Sequence, residues 1–399
     1  MYSRMLVVPI LIACCTLLLT GCWNRREMNQ LAINMGLGID KDDKGGYRIT
    51  AQVVEPREVA SRQGGGGNSP VTVYQTTAKT IYEAIGRITE ESPRRLYLSH
   101  LRILVLGESL AKEGVAPILD FLSRNHEMRT DFYIVVAKES RAEEILKVLT
   151  AIEEVPANKL FTSLYESEKS WAPALTITLD RFINDLVKEG RNPVLTGVKI
   201  IGKKKASSKK ELSMPDPETK IKISSLAVFR KDKLIGWLDE KESKGYVYIT
   251  NKVYRTVGSM RCPKGGQMNL EIVRSKTVMT GRVVGGKPEI TIEVRNEGNI
   301  GEVQCEVDLT KPETIDELER VASARLQEIV KAALAAAQKK YKSDIFGFGD
   351  KIRRSDPKGW DQIKDEWDKL FPQMQVYVKA DFQIRRLGTV ANPIFQLKR

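Results

Sequence analysis

Histidine, the side chain best suited to acid–base catalysis near neutral pH, is scarce in this sequence. His100 and His126 are the two histidines among its 399 residues. The pattern His126-Glu127-Met128-Arg129-Thr130 begins like a zinc-protease helix but has threonine where the second imidazole must stand. Two imidazoles one helical turn apart are needed to bind zinc in this way. The sequence therefore predicts no metal site of this kind and no histidine-based catalysis.

Two further stretches match catalytic or nucleotide-binding patterns only in part. Gly107-Glu108-Ser109-Leu110-Ala111 lies between a predicted strand and helix, as a nucleophile elbow does, but it ends in alanine. We therefore expect Ser109 to be a helix N-cap. Gly36-Leu37-Gly38 lacks the third glycine and the helix of a dinucleotide site. Aspartate and glutamate are plentiful, so a glycosidase that uses a pair of carboxylates stays a possible function. The distance between two carboxylates, on which such catalysis depends, is not visible in a sequence.

The thiol of Cys22 is the strongest candidate for chemistry, as an acceptor of lipid. Residues 5–19 are apolar and follow Arg4, and Leu19-Thr20-Gly21-Cys22 has the form of a lipobox. The apolar stretch is shorter than the ~20 residues that span a bilayer. We interpret residues 1–21 as a lipoprotein signal peptide that is removed after a diacylglyceryl group is attached to Cys22.

The other cysteines allow alternatives. Leu11-Ile12-Ala13-Cys14 is a second possible lipobox, but a cut there would leave three leucines exposed. The remaining alternative is an ordinary cleaved signal peptide in which Cys22 is incidental and carries no lipid. Cys262 and Cys305 remain in the mature chain. Outside the cytoplasm they could form a disulfide, and two free buried thiols fit equally well.

Length and composition indicate an ordered, exported chain of two or three domains. Hydrophobic residues make up 42% of it, and no apolar run after Cys22 approaches the length of a membrane span. The net charge is +13. An exported chain seldom meets nucleic acid, so we expect no nucleic-acid partner, and we expect the basic surface to face solvent, anionic lipid or an acidic partner.

The first half alternates between strands and helices, which predicts an α/β domain. It begins with a predicted hairpin of residues 31–39 and 47–54. The further elements are strands at 71–76, 101–106 and 131–137, and helices at 78–90, 110–124, 142–149 and 176–189. Ser140 and Glu143 form a candidate capping box for the helix at 142–149.

Residues 203–220 are polar, lysine-rich and punctuated by proline, which is typical of a linker. We therefore predict an N-terminal α/β domain at 22–202, which could contain two subdomains, and an α+β domain at 221–399. The second domain is predicted as an antiparallel sheet packed on a long helix at 313–341, with Thr314 and Glu317 as a candidate capping box. Its predicted strands are 223–229, 246–249, 270–273, 289–294, 300–307 and 375–384, and a shorter helix lies near 360–370.

Several short stretches, taken in order, resemble the Ger(x)C spore germination lipoproteins, the C subunits of nutrient germinant receptors. In the first half they are Cys22-Trp23-Asn24-Arg25-Arg26-Glu27, Gly36-Leu37-Gly38-Ile39-Asp40, Ser99-His100-Leu101 through Gly107-Glu108, and Arg124 through Arg129. In the second half they are Ala227-Val228-Phe229, Gly236-Trp237-Leu238, Tyr341 through Gly349, Trp360, and Trp367 through Pro372. Asn24 departs from the aspartate that is common in the family.

The resemblance implies a subunit, and not an enzyme, of a three-protein receptor in the spore inner membrane. Two integral-membrane subunits would be its partners, and lipid on Cys22 would hold it on the outer face. It implies no cofactor, while a nutrient would be a ligand of the complex. We expect Phe346 and Phe348 to form a packed turn against the long helix. The alternative function is a solute-binding lipoprotein of a transporter, which the unlike halves of the chain disfavour.

Overall fold

The computed structural model describes residues 27–60, 69–150, 152–171, 173–202, 214–263 and 265–388. The predicted signal peptide, Cys22 and residues 203–213 of the predicted linker lie outside these ranges.

The strands of the described residues form two sheets. The larger has nine strands in the order β3-β2-β1-β5-β6-β7-β8-β9, with β4 paired to β1, and the smaller has the order β10-β11-β12-β13. The bounds in the larger sheet are β1 Leu31–Lys41, β2 Tyr47–Val54, β3 Val71–Ala78, β4 Arg95–Tyr97, β5 Ile103–Gly107, β6 Tyr133–Ala137, β7 Val194–Gly202, β8 Thr219–Arg230 and β9 Lys233–Trp237. Those in the smaller are β10 Thr256–Arg261, β11 Gln267–Val284, β12 Lys287–Val303 and β13 Gln375–Arg386.

Helices cover both faces of the larger sheet and one face of the smaller. Their bounds are α1 Pro56–Ala60, α2 Ile81–Arg87, α3 Glu108–Glu113, α4 Ala116–Arg124, α5 Ala142–Leu146, α6 Pro156–Ser170, α7 Leu179–Val187, α8 Glu240–Ile249, α9 Pro312–Ala335, α10 Phe348–Ser355, α11 Pro357–Ile363 and α12 Trp367–Leu370. None of the helices in the described ranges is long and apolar enough to cross a membrane.

The α/β prediction for the first half is confirmed. Strands β1, β5, β6 and β7 run parallel at the centre of the sheet, and all five residues of β5 are buried. Such continuous apolar runs are typical of parallel strands that are covered on both faces. The predicted hairpin is β1 paired antiparallel with β2. The helix expected at 110–124 is instead two helices, which separate at Gly114, where φ is 138°.

The smaller sheet also agrees with the predicted class, apart from the direction of its last strand. β11 and β12 form one long antiparallel hairpin closed by Gly285 and Gly286, both with positive φ, so the two strands expected at 289–294 and 300–307 are largely one. β13 pairs parallel to β12, which contradicts a wholly antiparallel sheet. The chain returns to β13 through α9 and three shorter helices, and neighbouring parallel strands need a long crossover connection of this kind.

One strand prediction in the second half is wrong, and another strand lies in a sheet other than the expected one. The strand expected at 223–229 lies in β8, which pairs with β7 and thus belongs to the larger sheet. Residues 246–249 are the end of α8 and not a strand. Here Asp239 accepts a hydrogen bond from the Glu242 N–H at 2.7 Å and Glu242 accepts one from the Asp239 N–H at 2.8 Å, a capping box that starts the helix. The division into domains around 203–220 stays a prediction.

The long helix is confirmed, although its predicted cap is not. α9 begins at Pro312 without a side-chain cap and continues through a π-helical turn at Ala336–Tyr341. Its buried stripe consists of Leu318, Ala322, Leu326, Val330, Ala333 and Leu334. The stripe packs on the smaller sheet and, at Ala333, against Gly245 of α8. Ser323 and Glu319 accept hydrogen bonds from the Phe382 and Ile384 N–H groups at 2.9 and 2.7 Å. The helix thereby covers the free edge of β13.

A disulfide joins Cys262 and Cys305, which settles the alternative that the sequence leaves open. Their Cα atoms lie 6.3 Å apart, and both residues are buried beside β10 and β12. The bond closes a loop with a sequence separation of 43. A loop of that size restricts the unfolded chain by an amount worth about 3–4 kcal/mol in the chain-entropy description.

Helix α5 receives its cap from a distant strand. Asp40, buried at the end of β1, accepts hydrogen bonds from the Ala142 and Glu143 N–H groups at 2.8 and 3.0 Å. The capping box predicted from Ser140 and Glu143 is therefore wrong, because a carboxylate brought by the fold already occupies the helix start. Burial raises the pKa of Asp40, while these two N–H bonds oppose that rise.

We predict that Asp40→Ala lowers the free energy of unfolding by about 1–3 kcal/mol, because two buried N–H groups lose their acceptor. Chemical denaturation followed by circular dichroism measures the change. Asp43→Ala is the matched control, since Asp43 lies in the next turn, is exposed and contributes an ion pair to Arg141 at 3.5 Å. Such exposed pairs are worth less than about 1 kcal/mol. Equal losses in the two variants would contradict the role of Asp40.

Candidate functional site

The stretch Tyr341 through Gly349, here called the motif loop, is organised around one buried carboxylate. Asp344 Oδ1 accepts hydrogen bonds from the N–H groups of Phe346, Gly347 and Phe348 at 3.2, 2.9 and 3.1 Å. Asp344 Oδ2 accepts a fourth from Gly349 at 3.0 Å. Successive N–H groups that converge in this way form an anion-binding nest. Burial raises the pKa of Asp344 to about 6, although the four bonds favour the ionised form.

The glycines of the motif loop allow a very close approach to the segment after α7. Gly347 has φ of 77°, in the left-handed region. A Cβ placed on Gly349 would lie 2.5 Å from the Gly190 Cα and 2.8 Å from the Trp360 ring. The Asn192 N–H donates to the Asp344 carbonyl at 2.7 Å. The motif loop is thus fixed directly to backbone that belongs to the first half of the chain.

A chain of aromatic rings continues from the motif loop. The centroid distances are 5.0 Å for Phe346 and Phe348, 6.1 Å for Phe348 and Phe371, 6.0 Å for Trp367 and Phe371, and 5.3 Å for Trp360 and Trp367. Phe346 and Phe348 are both buried. The expectation that both rings are buried and packed is therefore confirmed, whereas their packing against the long helix stays a prediction. The rings contribute to the core that joins the halves.

The motif loop also contacts the larger sheet through two other stretches of the resemblance. Ser343 Oγ donates to the Phe229 carbonyl at 3.0 Å, and the Tyr341 hydroxyl donates to the Trp237 carbonyl. The Tyr341 ring occupies the space that a side chain on Gly236 would need. In turn, Trp237 Nε1 donates to Glu108 Oε1 at 3.3 Å. Stretches far apart in sequence are therefore consecutive links in one network.

The remaining stretches of the first half pair among themselves. The Ser99 hydroxyl donates to the Glu127 carbonyl, and Arg95 forms an ion pair with the Glu127 carboxylate at 2.6 Å. Gly36 and Gly38 allow close packing of Leu146 from α5 on β1. These residues position helices on the sheet, and nothing in their geometry resembles a reacting pair.

The candidate catalytic residues are not brought together. His126 and Ser109 are both exposed, and α3 starts at Glu108 with Gly107 at the N-cap, so the expected N-cap role of Ser109 is wrong. His100 packs against the Tyr97 ring at 5.6 Å. Over the described residues, no group of three or more His, Cys, Asp or Glu side chains could hold a metal ion. Cys22, the predicted lipid-attachment residue, lies outside the described ranges.

Comparison with known proteins covers both halves of the chain. The model described as "Spore germination protein N-terminal domain" matches residues 24–200, and the model described as "Spore germination B3/ GerAC like, C-terminal" matches residues 224–388. The chain belongs to this family of spore germination proteins.

Relatives within the family match over nearly their whole length. The chain is 33% identical to "Spore germination protein KC" of Bacillus subtilis (strain 168), with 98% of each chain covered. It is 25% identical to "Spore germination protein B3" of the same organism, with 94% of this chain and 96% of that protein covered. The crystal structure of the GerBC protein matches with a TM-score of 0.56 and 21% identity over 88% of this chain and 96% of that one, which supports the fold.

Sequence reasoning identified the family stretches but not what they do. An acidic residue followed by glycines three and five positions later is a signal for a carboxylate nest, and Asp344 carries that signal. Gly190 and Asn192 carry no comparable signal, because their role depends on backbone that arrives from more than 150 residues later in the chain.

We predict that Asp344→Asn destabilises the protein by about 1–3 kcal/mol, because the amide can accept from one side only and turns N–H donors towards the other. Asp344→Ala, which leaves four N–H groups without their acceptor, should cost more. Thermal and chemical unfolding of the full chain measure both. Asp361→Asn is the control, because Asp361 is an exposed aspartate paired with Lys364 at 3.2 Å. If Asp344→Asn unfolds like Asp361→Asn, the nest does not hold the loop.

Proposed function

We propose that this protein is the lipid-anchored subunit of a spore nutrient germinant receptor, and that it acts with two integral-membrane subunits on the outer face of the spore inner membrane. The observation that carries the proposal is the family match at 24–200 and 224–388, which begins two residues after the lipobox cysteine. Export, a lipid anchor and membership of a spore germination family together favour a receptor subunit. The proposed role is binding or transduction, without catalysis or a cofactor.

The arrangement of the two sheets supports a transducing role. One hydrophobic cluster runs from Leu104 in the larger sheet through Phe348 to Ile292 in the smaller sheet. Interiors packed in this way transmit a displacement and do not absorb it. A partner that binds one half would therefore move the other half as well.

A solute-binding lipoprotein of a transporter would need two lobes that close over a ligand. The first half contributes seven strands of the larger sheet, and the second half contributes the other two together with the four-stranded sheet. Aromatic rings pack in the core between the two sheets. This geometry favours the receptor subunit over the transporter alternative.

We predict that Cys22→Ala abolishes incorporation of labelled fatty acid and removes salt-resistant attachment to membranes. Two acyl chains give stable anchoring, whereas attraction of a basic surface to anionic lipid is screened within about 8 Å at physiological ionic strength. Labelling and membrane fractionation after a high-salt wash measure both effects. Cys14→Ala is the matched control and should keep the label. If Cys14→Ala loses the label and Cys22→Ala keeps it, the lipid is attached to Cys14 and the prediction is contradicted.

We also predict that the tagged wild-type protein, extracted from spore membranes in mild detergent, brings two integral-membrane proteins with it. Mass spectrometry identifies them, and an unrelated tagged lipoprotein of the same membrane is the control. Recovery with the subunits of a nutrient transporter would favour the alternative, and recovery of the protein alone would contradict a stable receptor complex.

A further inference from the structure

A basic cleft opens beside the motif loop, where α7, the end of α8, β11 and α10 meet. Its volume is about 690 Å³. Six cationic side chains line it, namely Arg181, Lys188, Arg191, Lys252, Lys351 and Arg354. Asp180 and Asp185 are its two carboxylates. Positive charge is therefore in excess inside a concave space, which attracts anions.

The two carboxylates are already engaged by other groups. Asp185 pairs with Arg191 at 3.1 Å, and Asp180 accepts a hydrogen bond from the Thr178 hydroxyl at 2.6 Å. Arg354 pairs with Asp350 at 2.8 Å. Lys188, Lys252 and Lys351 have no ion pair within the described ranges, so the excess charge of the cleft is not neutralised by its own walls.

Lys252 is the most unusual of these cations. Its Nζ exposes less than 1 Å² and makes no hydrogen bond within the described part of the chain. The Tyr246 ring lies beside its ammonium with the centroid 6.0 Å away, and the Asp185 and Glu168 carboxylates compensate part of its charge without a hydrogen bond to it. A buried ammonium without an acceptor costs free energy, and structures rarely retain one unless something binds it.

The fold holds Lys252 in place and does not leave it on a free loop. The Lys252 N–H donates to the Val247 carbonyl at 3.0 Å. Next to it, Asn251 Oδ1 accepts from the Thr277 N–H at 2.8 Å, and Thr277 Oγ1 donates to the Tyr248 carbonyl at 2.6 Å. These bonds tie the end of α8 to β11, so the lysine is positioned before any ligand arrives.

We propose that this cleft is a binding site for a compact, doubly charged oxyanion of the phosphate class, with Lys252 as its central ligand and Arg181 and Lys351 as flanking ligands. All three side chains line this one cleft. Guanidinium and ammonium groups suit tetrahedral oxyanions, because each oxygen can accept a charge-assisted hydrogen bond. The volume accommodates the free ion or the phosphate of a larger molecule such as a lipid headgroup. The proposal does not depend on the lipid anchor or on the receptor assignment.

The test is a titration of the full-length protein in neutral detergent with sodium sulfate, at an ionic strength held constant with sodium chloride. Calorimetry and thermal unfolding should show saturable binding and stabilisation by sulfate beyond chloride. Lys252→Met should weaken binding about tenfold or more, as expected for the loss of one charge-assisted bond. Lys276→Met is the matched control, because Lys276 is exposed on β11 next to Thr277 but does not line the cleft.

The pH dependence of binding gives an independent readout. Burial, with the charges of Arg181 and Arg191, lowers the pKa of Lys252 to about 7, so the empty site is partly deprotonated at neutral pH. A bound anion favours the ammonium form, so binding takes up a proton and the affinity for sulfate should fall at least fivefold between pH 7 and pH 9. Sulfate keeps its charge over that range. In Lys252→Met the profile should be flat.

Other ionisable and charged groups lie near Lys252, and their titration between pH 7 and pH 9 would also affect binding. Arg181, Arg191, Asp185 and Glu168 act on the charge of Lys252, and the Tyr246 ring lies beside it. The other charged groups that line the cleft are Asp180, Lys188, Lys351 and Arg354, and Asp344 acts on Arg191. The pKa of Asp344, about 6, lies below the window, and burial raises the pKa of Tyr246 above its ordinary value. The flat profile of Lys252→Met therefore assigns the titration to the lysine.

Competition identifies the source of the oxyanion. Displacement of sulfate by inorganic phosphate assigns a free phosphate ligand, and displacement by water-soluble, short-chain phosphatidic acid alone assigns a lipid headgroup. If wild-type protein binds sulfate no better than chloride, or if Lys252→Met binds sulfate as tightly as Lys276→Met, the proposal is overturned.

If Lys252→Met does not fold, the double variant Arg181→Gln with Lys351→Gln replaces it. The same loss of sulfate affinity is expected, and sulfate binding as tight as in Lys276→Met would again overturn the proposal.

Discussion

The buried carboxylate of Asp344 is the constraint on which the arrangement of the two halves depends. A charge at that depth is tolerated only if its oxygens are fully hydrogen-bonded, and four consecutive N–H groups meet that need. These four hydrogen bonds fix the backbone conformation of the motif loop. The fixed loop then presents the Asp344 carbonyl to Asn192 and the Ser343 hydroxyl to Phe229, which join the C-terminal half to the larger sheet.

The same loop relates the junction to the basic cleft. Phe346 donates its N–H to Asp344 and also lines the cleft, and Arg191 contributes to the electrostatic surroundings of both Asp344 and Lys252. An anion in the cleft would change the field at the group that holds the two sheets together. If the cleft binds an anion as proposed, its occupancy would therefore be coupled to the junction through Phe346 and Arg191.

The predictable part of the fold is the part that local sequence specifies. Buried parallel strands such as β5 appear as uninterrupted apolar runs, and α9 shows an apolar stripe over its whole length, so both are evident without a structure. The run at 246–249 is too short to distinguish helix from strand by its period. The Asp40 cap, the pairing of β8 with β7 and the parallel β13 depend on contacts between distant segments. For the site, lipid attachment at Cys22 can be predicted from sequence because signal processing acts on a linear motif. The burial of Lys252 without a hydrogen-bond partner depends on residues from distant segments that surround it in the fold.

The pairing of β7 with β8 has a consequence for how the halves can be separated. Gly202 lies opposite Thr219 in this ladder, and pairing continues as far as Val194 opposite Val228. Strand pairing and a shared core hold both ends of the intervening segment, whether or not the chain between them is intact. A protease nick between these two strands would give two bands on a denaturing gel and a single particle in size-exclusion chromatography. By the same geometry, the segment is a suitable place to insert an epitope tag, since its ends are held a strand spacing apart.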